Sequence, residues 1–227
     1  MSKICYINQP AGIGDIFVCQ KIGHHYQSLG YEIKWPVVPQ YSYIGQYLKN
    51  FDYNYQSLNL GTHPIFSEDF IYLPISNADI IYPELKIFQS KYKMCGIDYD
   101  DWNAYFNFER NLEKENELFY NVLGLNDDSE YCLISQNQGT PPNYAKHNIN
   151  YTGELKIVNM YFIEGYTLFD WCKIIENASE IYTVDSSINW IIEKLNLKTD
   201  KLFLYSRRHD NFSEIDYLMK TKYQHMI

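Results

Sequence analysis

Apolar and polar positions along this chain fall into two successive series of strand-like and helix-like segments. The apolar run over residues 4–7 predicts a buried strand, and a Pro/Gly loop over 10–14 follows it. Ile16, Phe17, Cys19, Ile22, Tyr26 and Leu29 then recur at helical spacing as far as Gly30, which predicts one helix. Residues 31–38 read as a second strand ended by Pro39, and 41–51 as a short helix with Ile44, Tyr47, Leu48 and Phe51 on one face. A strand is expected over 70–74 and an apolar stretch over 78–82, with no element over 52–69 and only a weak pattern over 83–103. A charged amphipathic helix over 108–124, capped by Gly124, opens the second series. There the pattern predicts strands over 131–135, 155–162 and 181–184, helices over 168–177 and 188–195, and a last strand over 201–205. The polar loop 136–143 follows the first of these strands. Strands alternating with helices of this length indicate α/β packing on parallel sheets. The expected fold is two Rossmann-like parallel-sheet domains facing a cleft, with the boundary between residues 1–107 and 108–227. No repeat of solenoid period is present.

Composition narrows the function classes. At 227 residues the chain is long enough for one large domain or two small ones. Its 28 acidic against 19 basic residues give a net charge of -9, which argues against a nucleic-acid binder. No apolar run approaches a transmembrane span, and no export signal is evident near the start, so a cytoplasmic protein is expected. The 5 cysteines are scattered without a CxxC pair and read as reduced, buried thiols. The 23 tyrosines suit cores and polar clefts alike, and an AT-rich genome also accounts for them.

Chemistry concentrates at two strand-to-helix turns. In the first, Asp15 follows Gly12 and Gly14 at the start of a helix. It is either a carboxylate stabilised by the helix dipole or a reactive group at the carboxyl end of a parallel strand, where ligands of open α/β sheets bind. In the second, Asp185, Ser186 and Ser187 lead a strand straight into a helix. Backbone N–H groups and two hydroxyls there suit a diphosphate, and the same residues serve equally as a helix cap. Arg207 and Arg208 end the last expected strand and suit a phosphate or plain solvent. Glu164 is a donor contact or an exposed loop carboxylate. Neighbours on a helix face different ways, so His24 and His25 do not read as a metal pair. Asp98-Tyr99-Asp100 spells a DxD triplet in an unpatterned turn.

The order Gly12-x-Gly14-Asp15, then Gly165-x-Thr167-Leu168-x-Asp170, then Tyr182-Thr-Val-Asp-Ser-Ser187 resembles the GT-B glycosyltransferases of the ADP-heptose:lipopolysaccharide heptosyltransferase (family 9-like) type. The resemblance covers the first thirty residues and about 110–205. It implies inverting transfer, in which Asp15 deprotonates an acceptor hydroxyl that attacks the sugar as a nucleotide diphosphate leaves. It implies that Asp185, Ser186 and Ser187 hold the donor diphosphate, with Gly12, Gly14, Gln138, Glu164, Asn189 and Arg207 as further donor or acceptor contacts. No metal and no cofactor are implied; the nucleotide sugar is a substrate, and the partner is a glycan or lipid-linked acceptor. The chain departs from the pattern in three ways. Asn189 stands near the place of a usual His, Gln136-Asn-Gln-Gly139 replaces a Gly-Ala/Ser pair, and the acceptor half is short.

Rival classes fit less well. A nucleotide-sugar dehydratase or reductase needs GxGxxG, and the first loop has no third glycine. Tyr82 and Lys86 have a Tyr-x-x-x-Lys spacing, but Pro83 between them is misplaced for a helix interior. A flavodoxin-like response module needs a single sheet. The main alternative is a non-enzymatic GT-B-like module that binds a nucleotide or glycan without turnover.

Overall fold

A computed structural model describes residues 2–54, 56, 58–139, 145–207, 212 and 215–226. The chain divides into two compact units, Met1–Glu109 and Arg110–Ile227. Each is an α/β unit built on parallel strands. Arg208 and part of the 136–143 loop lie outside the described residues.

In the first unit, β1 (Lys3–Ile7) is followed by α1 (Ile13–Val18), α2 (Gln20–Ser28) and β2 (Tyr31–Lys34). The chain continues through α3 (Ile44–Tyr47), β3 (Ile65–Phe66), β4 (Phe70–Leu73), α4 (Ala78–Ile81), α5 (Ile87–Met94) and α6 (Trp102–Tyr105). The strand order is β2-β1-β4-β3, with β1 parallel to both of its neighbours and β3 antiparallel at the edge. The chain leaves β1 to pair on one side with β2 and returns to pair on the other with β4. The carboxyl end of β1 is therefore a topological switch point, the crevice where open α/β sheets bind ligands. Cys5, Ile7, Ile33, Ile71 and Leu73 from the sheet and Ile16, Phe17 and Ile22 from the helices are buried, and Phe17 stacks on Phe106 at 4.5 Å between ring centroids.

The single helix expected up to Gly30 is broken at Cys19. Gln20, wholly buried, donates its amide to the Ile16 carbonyl (2.9 Å) and so supplies from a side chain the bond of a continuous helix. Its carbonyl oxygen accepts from Tyr53 and Asn50. The helix expected over 41–51 shrinks to a 3₁₀ turn at Pro39–Tyr41 and α3. The segment read as weakly patterned holds α5, whose Tyr92 hydroxyl donates to the Val18 carbonyl (2.6 Å) and docks it against the end of α1.

The second unit opens with α7 (Leu112–Asn116), continued as a π-helix over Glu117–Val122. The expected continuous helix thus starts later and widens, as the Leu123-to-Leu118 bond shows. Then follow β5 (Tyr131–Ser135), the antiparallel hairpin β6 (Asn137–Gln138) and β7 (Ala145–Lys146), β8 (Lys156–Asn159), α8 (Cys172–Asn177, entered through a 3₁₀ turn), β9 (Glu180–Val184), α9 (Ser187–Ile192), β10 (Leu202–Tyr205) and β11 (Gln224–Met226). The five-stranded sheet has order β11-β10-β9-β5-β8 and is parallel throughout. The strand expected to be last is therefore followed by one more, β11. After β5 the chain pairs first with β8 on one side and then with β9 on the other, so the carboxyl ends of β5 and β9 form the second switch point.

Candidate functional site

The loop at the end of β1 is held from several directions. The Asn8 amide donates to the Tyr72 hydroxyl (3.0 Å), the Trp35 indole N–H to the Gln9 carbonyl (3.2 Å), and the Val38 N–H to the Pro10 carbonyl (2.9 Å). Gly12 then turns into α1 with φ 77, a left-handed conformation natural to glycine. Asp15 stands in the first turn, with 27% of its side chain exposed. Its Oδ1 lies 3.3 Å from the ammonium of Lys91, which α5 delivers and whose side chain is only 4% exposed. Lys91 also donates to Gln9 Oε1 (2.6 Å) and to the Ile75 carbonyl (3.0 Å). The Gln9 amide in turn donates to the Ala11 carbonyl (2.6 Å). Oδ2 of Asp15 lies over the bare Cα of Gly12, so that a Cβ built there would come within 2.5 Å of it. Burial pushes the neighbouring Cys19 thiol up to about 12, which keeps it protonated and unreactive at neutral pH. The arrangement presents a partly exposed carboxylate at a switch point, where it can accept a proton from a bound hydroxyl.

In the second unit, the ends of β5, β9 and β10 stand side by side, with Ser135 opposite Thr183 and Tyr205 opposite Val184. The Asp185 N–H continues the ladder to the Tyr205 carbonyl (2.9 Å), and the buried Asp185 carboxylate lies 3.4 Å from the half-exposed Arg207 guanidinium. Ser186 and Ser187 are half-buried at the start of α9. The Ser186 N–H is taken by Asn189 Oδ1 (2.9 Å), and the Asn189 amide donates to the Thr183 hydroxyl (2.9 Å). His147 packs its ring against Tyr205 at the same edge.

The expected residues thus form two groups, one in each unit. Asp15, Gly12 and Gly14 share the first turn of α1, and Asp185, Ser186, Ser187 and Arg207 share the end of β9 and β10. Asn189 is wholly buried and holds the turn together from inside. Gln138 sits in the hairpin after β5, and Glu164 in an exposed turn whose Gly165 carbonyl accepts from Lys114 (2.7 Å). Of the DxD triplet, Asp98 is paired with Lys21 (2.8 Å) and the Asp100 carbonyl accepts from the same ammonium. Sequence reasoning missed Lys91 and Gln9. The available signal was Lys91 falling with Phe88, Tyr92 and Cys95 on one helical face, which places a lysine where apolar residues are expected.

No protein-family model matches the sequence, and no curated protein does. Among solved structures, the chain is similar to TibC, an iron-containing dodecameric bacterial glycosyltransferase from enterotoxigenic E. coli. Identity is 9% and the TM-score 0.48, over 90% of this chain and 58% of that one. It is similar also to a glycosyl transferase of family 9 from Veillonella parvula (10% identity, TM-score 0.48, 90% of this chain and 81% of that one). A second TibC structure, a heptosyltransferase in complex with ADP-D-beta-D-heptose, gives 11% identity and a TM-score of 0.49 over 90% and 58%. All three are glycosyltransferases. The chain spans less than two thirds of the length of TibC.

Proposed function

We propose that this chain is an inverting, metal-independent glycosyltransferase of GT-B type, which moves a sugar from a nucleotide-diphosphate donor to a hydroxyl of a glycan or lipid-linked acceptor. The single observation that carries the reading is the Asp15 carboxylate, held at 3.3 Å by Lys91 at the carboxyl end of β1 and still partly exposed. In the proposed step, Asp15 takes the proton of the acceptor hydroxyl while that oxygen bonds to the anomeric carbon. The bond from that carbon to the diphosphate oxygen breaks, and its electron pair leaves with the nucleoside diphosphate. Ser186 and Ser187 would hold the diphosphate, and Arg207 would exchange its 3.4 Å contact with Asp185 for a phosphate oxygen. The family resemblance of the two turns supports inversion and the lack of a metal.

A thermal-shift screen with ADP, UDP and GDP tests the donor assignment, because a ligand that binds the folded state raises its apparent stability. The expected result is a shift with at least one nucleotide that is lost in Ser186→Ala/Ser187→Ala. No shift with any of them contradicts the proposal.

Asn189 favours a second reading, a nucleotide- or glycan-binding module without turnover. Where the resembling enzymes usually place a His, this side chain is buried and its amide is spent on Ser186 and Thr183. Nucleotide binding with no release of sugar from any donor supports that reading.

A further inference from the structure

Lys91 is the most unusual residue of the first unit: an ammonium buried on a helix that also buries Phe88, Tyr92 and Met94. Burying a charge is costly unless it is paired and fully hydrogen-bonded. Here the ammonium donates to two oxygens, Gln9 Oε1 (2.6 Å) and the Ile75 carbonyl (3.0 Å), and its charge is paired with Asp15 Oδ1 at 3.3 Å. Two of its three protons are used inside the protein, and its side chain, 4% exposed, faces Asp15 rather than solvent. Its partners come from three separate segments, each anchored independently. Gln9 is tied to Ala11 and Trp35, Ile75 opens the 3₁₀ turn after β4, and α5 is docked on α1 through Tyr92.

We infer that Lys91 is a positioning residue for Asp15, holding Oδ1 so that Oδ2 is presented over Gly12 to receive the acceptor proton. The inference rests on the reading of Asp15 as the base. Lys91 itself touches no substrate; it acts through the carboxylate. Without the ammonium, Asp15 rotates away from Gly12, and a base misplaced by about 1 Å loses about a hundredfold in rate.

The test measures nucleoside diphosphate released from a panel of ADP-, UDP- and GDP-sugars by the full chain, Asp15→Asn, Lys91→Met and the double variant. It is accompanied by a crystal structure of Lys91→Met. Expected are equal falls of about a hundredfold in kcat and kcat/KM for Lys91→Met, and a double variant no slower than Asp15→Asn alone. A merely structural lysine would give independent losses that multiply. If Lys91→Met does not fold, Lys91→Gln keeps an amide donor without the charge, and the same non-additivity is expected. Asp15→Asn at the full rate overturns the base assignment itself. Asp15→Asn slow with Lys91→Met at the full rate overturns the role of Lys91 alone. The crystal structure decides independently of turnover: an Asp15 carboxylate unmoved in Lys91→Met contradicts the inference.

Discussion

Gly12 and Asp15 share one space: a Cβ on Gly12 would lie 2.5 Å from Asp15 Oδ2, so the glycine is required by the carboxylate as well as by its own φ of +77. Gly12→Ala meets both constraints. The left-handed backbone alone costs about 1–2 kcal/mol, and the displaced carboxylate removes about a hundredfold in turnover. Denaturant midpoints and donor turnover measured on the same variant check the two effects separately.

The second unit carries a buried acid that depends on one arginine. Glu115 has 1% of its side chain exposed and is bound at both oxygens by Arg110 (2.8 and 2.5 Å), which also reaches Glu176 (2.8 Å). Arg110→Met leaves that carboxylate without its cation and is expected to cost about 3 kcal/mol. Arg110→Met/Glu115→Leu should recover most of this loss, read from urea unfolding of the three proteins. Additive losses would show that the pair is not coupled.

Asn189 closes the Ser186 turn and ties it to β9. Asn189→Ala strips partners from the buried Thr183 hydroxyl and the Ser186 N–H, which should cost about 1–3 kcal/mol. The same variant is expected to lose any nucleotide-induced thermal shift, because the backbone at Ser186 is then no longer held to Asn189.

Stability of the first unit should fall on mild acidification. His24 packs against Phe51 and Tyr105 beside the Asn50 amide, and burial holds its pKa below the ordinary imidazole value. A folded pKa below the unfolded one means that the unfolded chain binds the proton more tightly. The His24 contribution is complete above about pH 6.5 and is lost as pH falls through the folded value. His24→Gln should flatten the unfolding midpoint between about pH 7 and 5; an unchanged slope would assign it to other groups.

How far the sequence could be read depends on where each signal resides. The first strand, its glycine loop and the Asp185-Ser186-Ser187 turn are legible because strand, loop and helix follow one another within a few residues, and local pattern suffices. The break at Cys19 is not, because there Gln20 bonds Tyr53 and Asn50, residues thirty or more positions away. Lys91 is not either. Helical spacing puts it on the apolar face of α5, unlike Lys93 two positions on, but only the meeting of α5 with the β1 loop makes it a partner of Asp15. The strand β11 was hidden for a similar reason, since Gln224–Met226 is short and largely exposed and gains its place by pairing with β10. Local chemistry locates the two switch points, and tertiary contacts supply the residues that position it.

The most direct test of the account is a transfer assay on the full chain and on Asp15→Asn. Nucleotide sugars are supplied with glycan acceptors, and the anomeric configuration of the product is read by NMR. The account predicts transfer with inversion by the full chain and a loss of about 10²–10⁴-fold in Asp15→Asn, the range for removing a general base. Retention of configuration, or an Asp15→Asn variant as fast as the full chain, would contradict it.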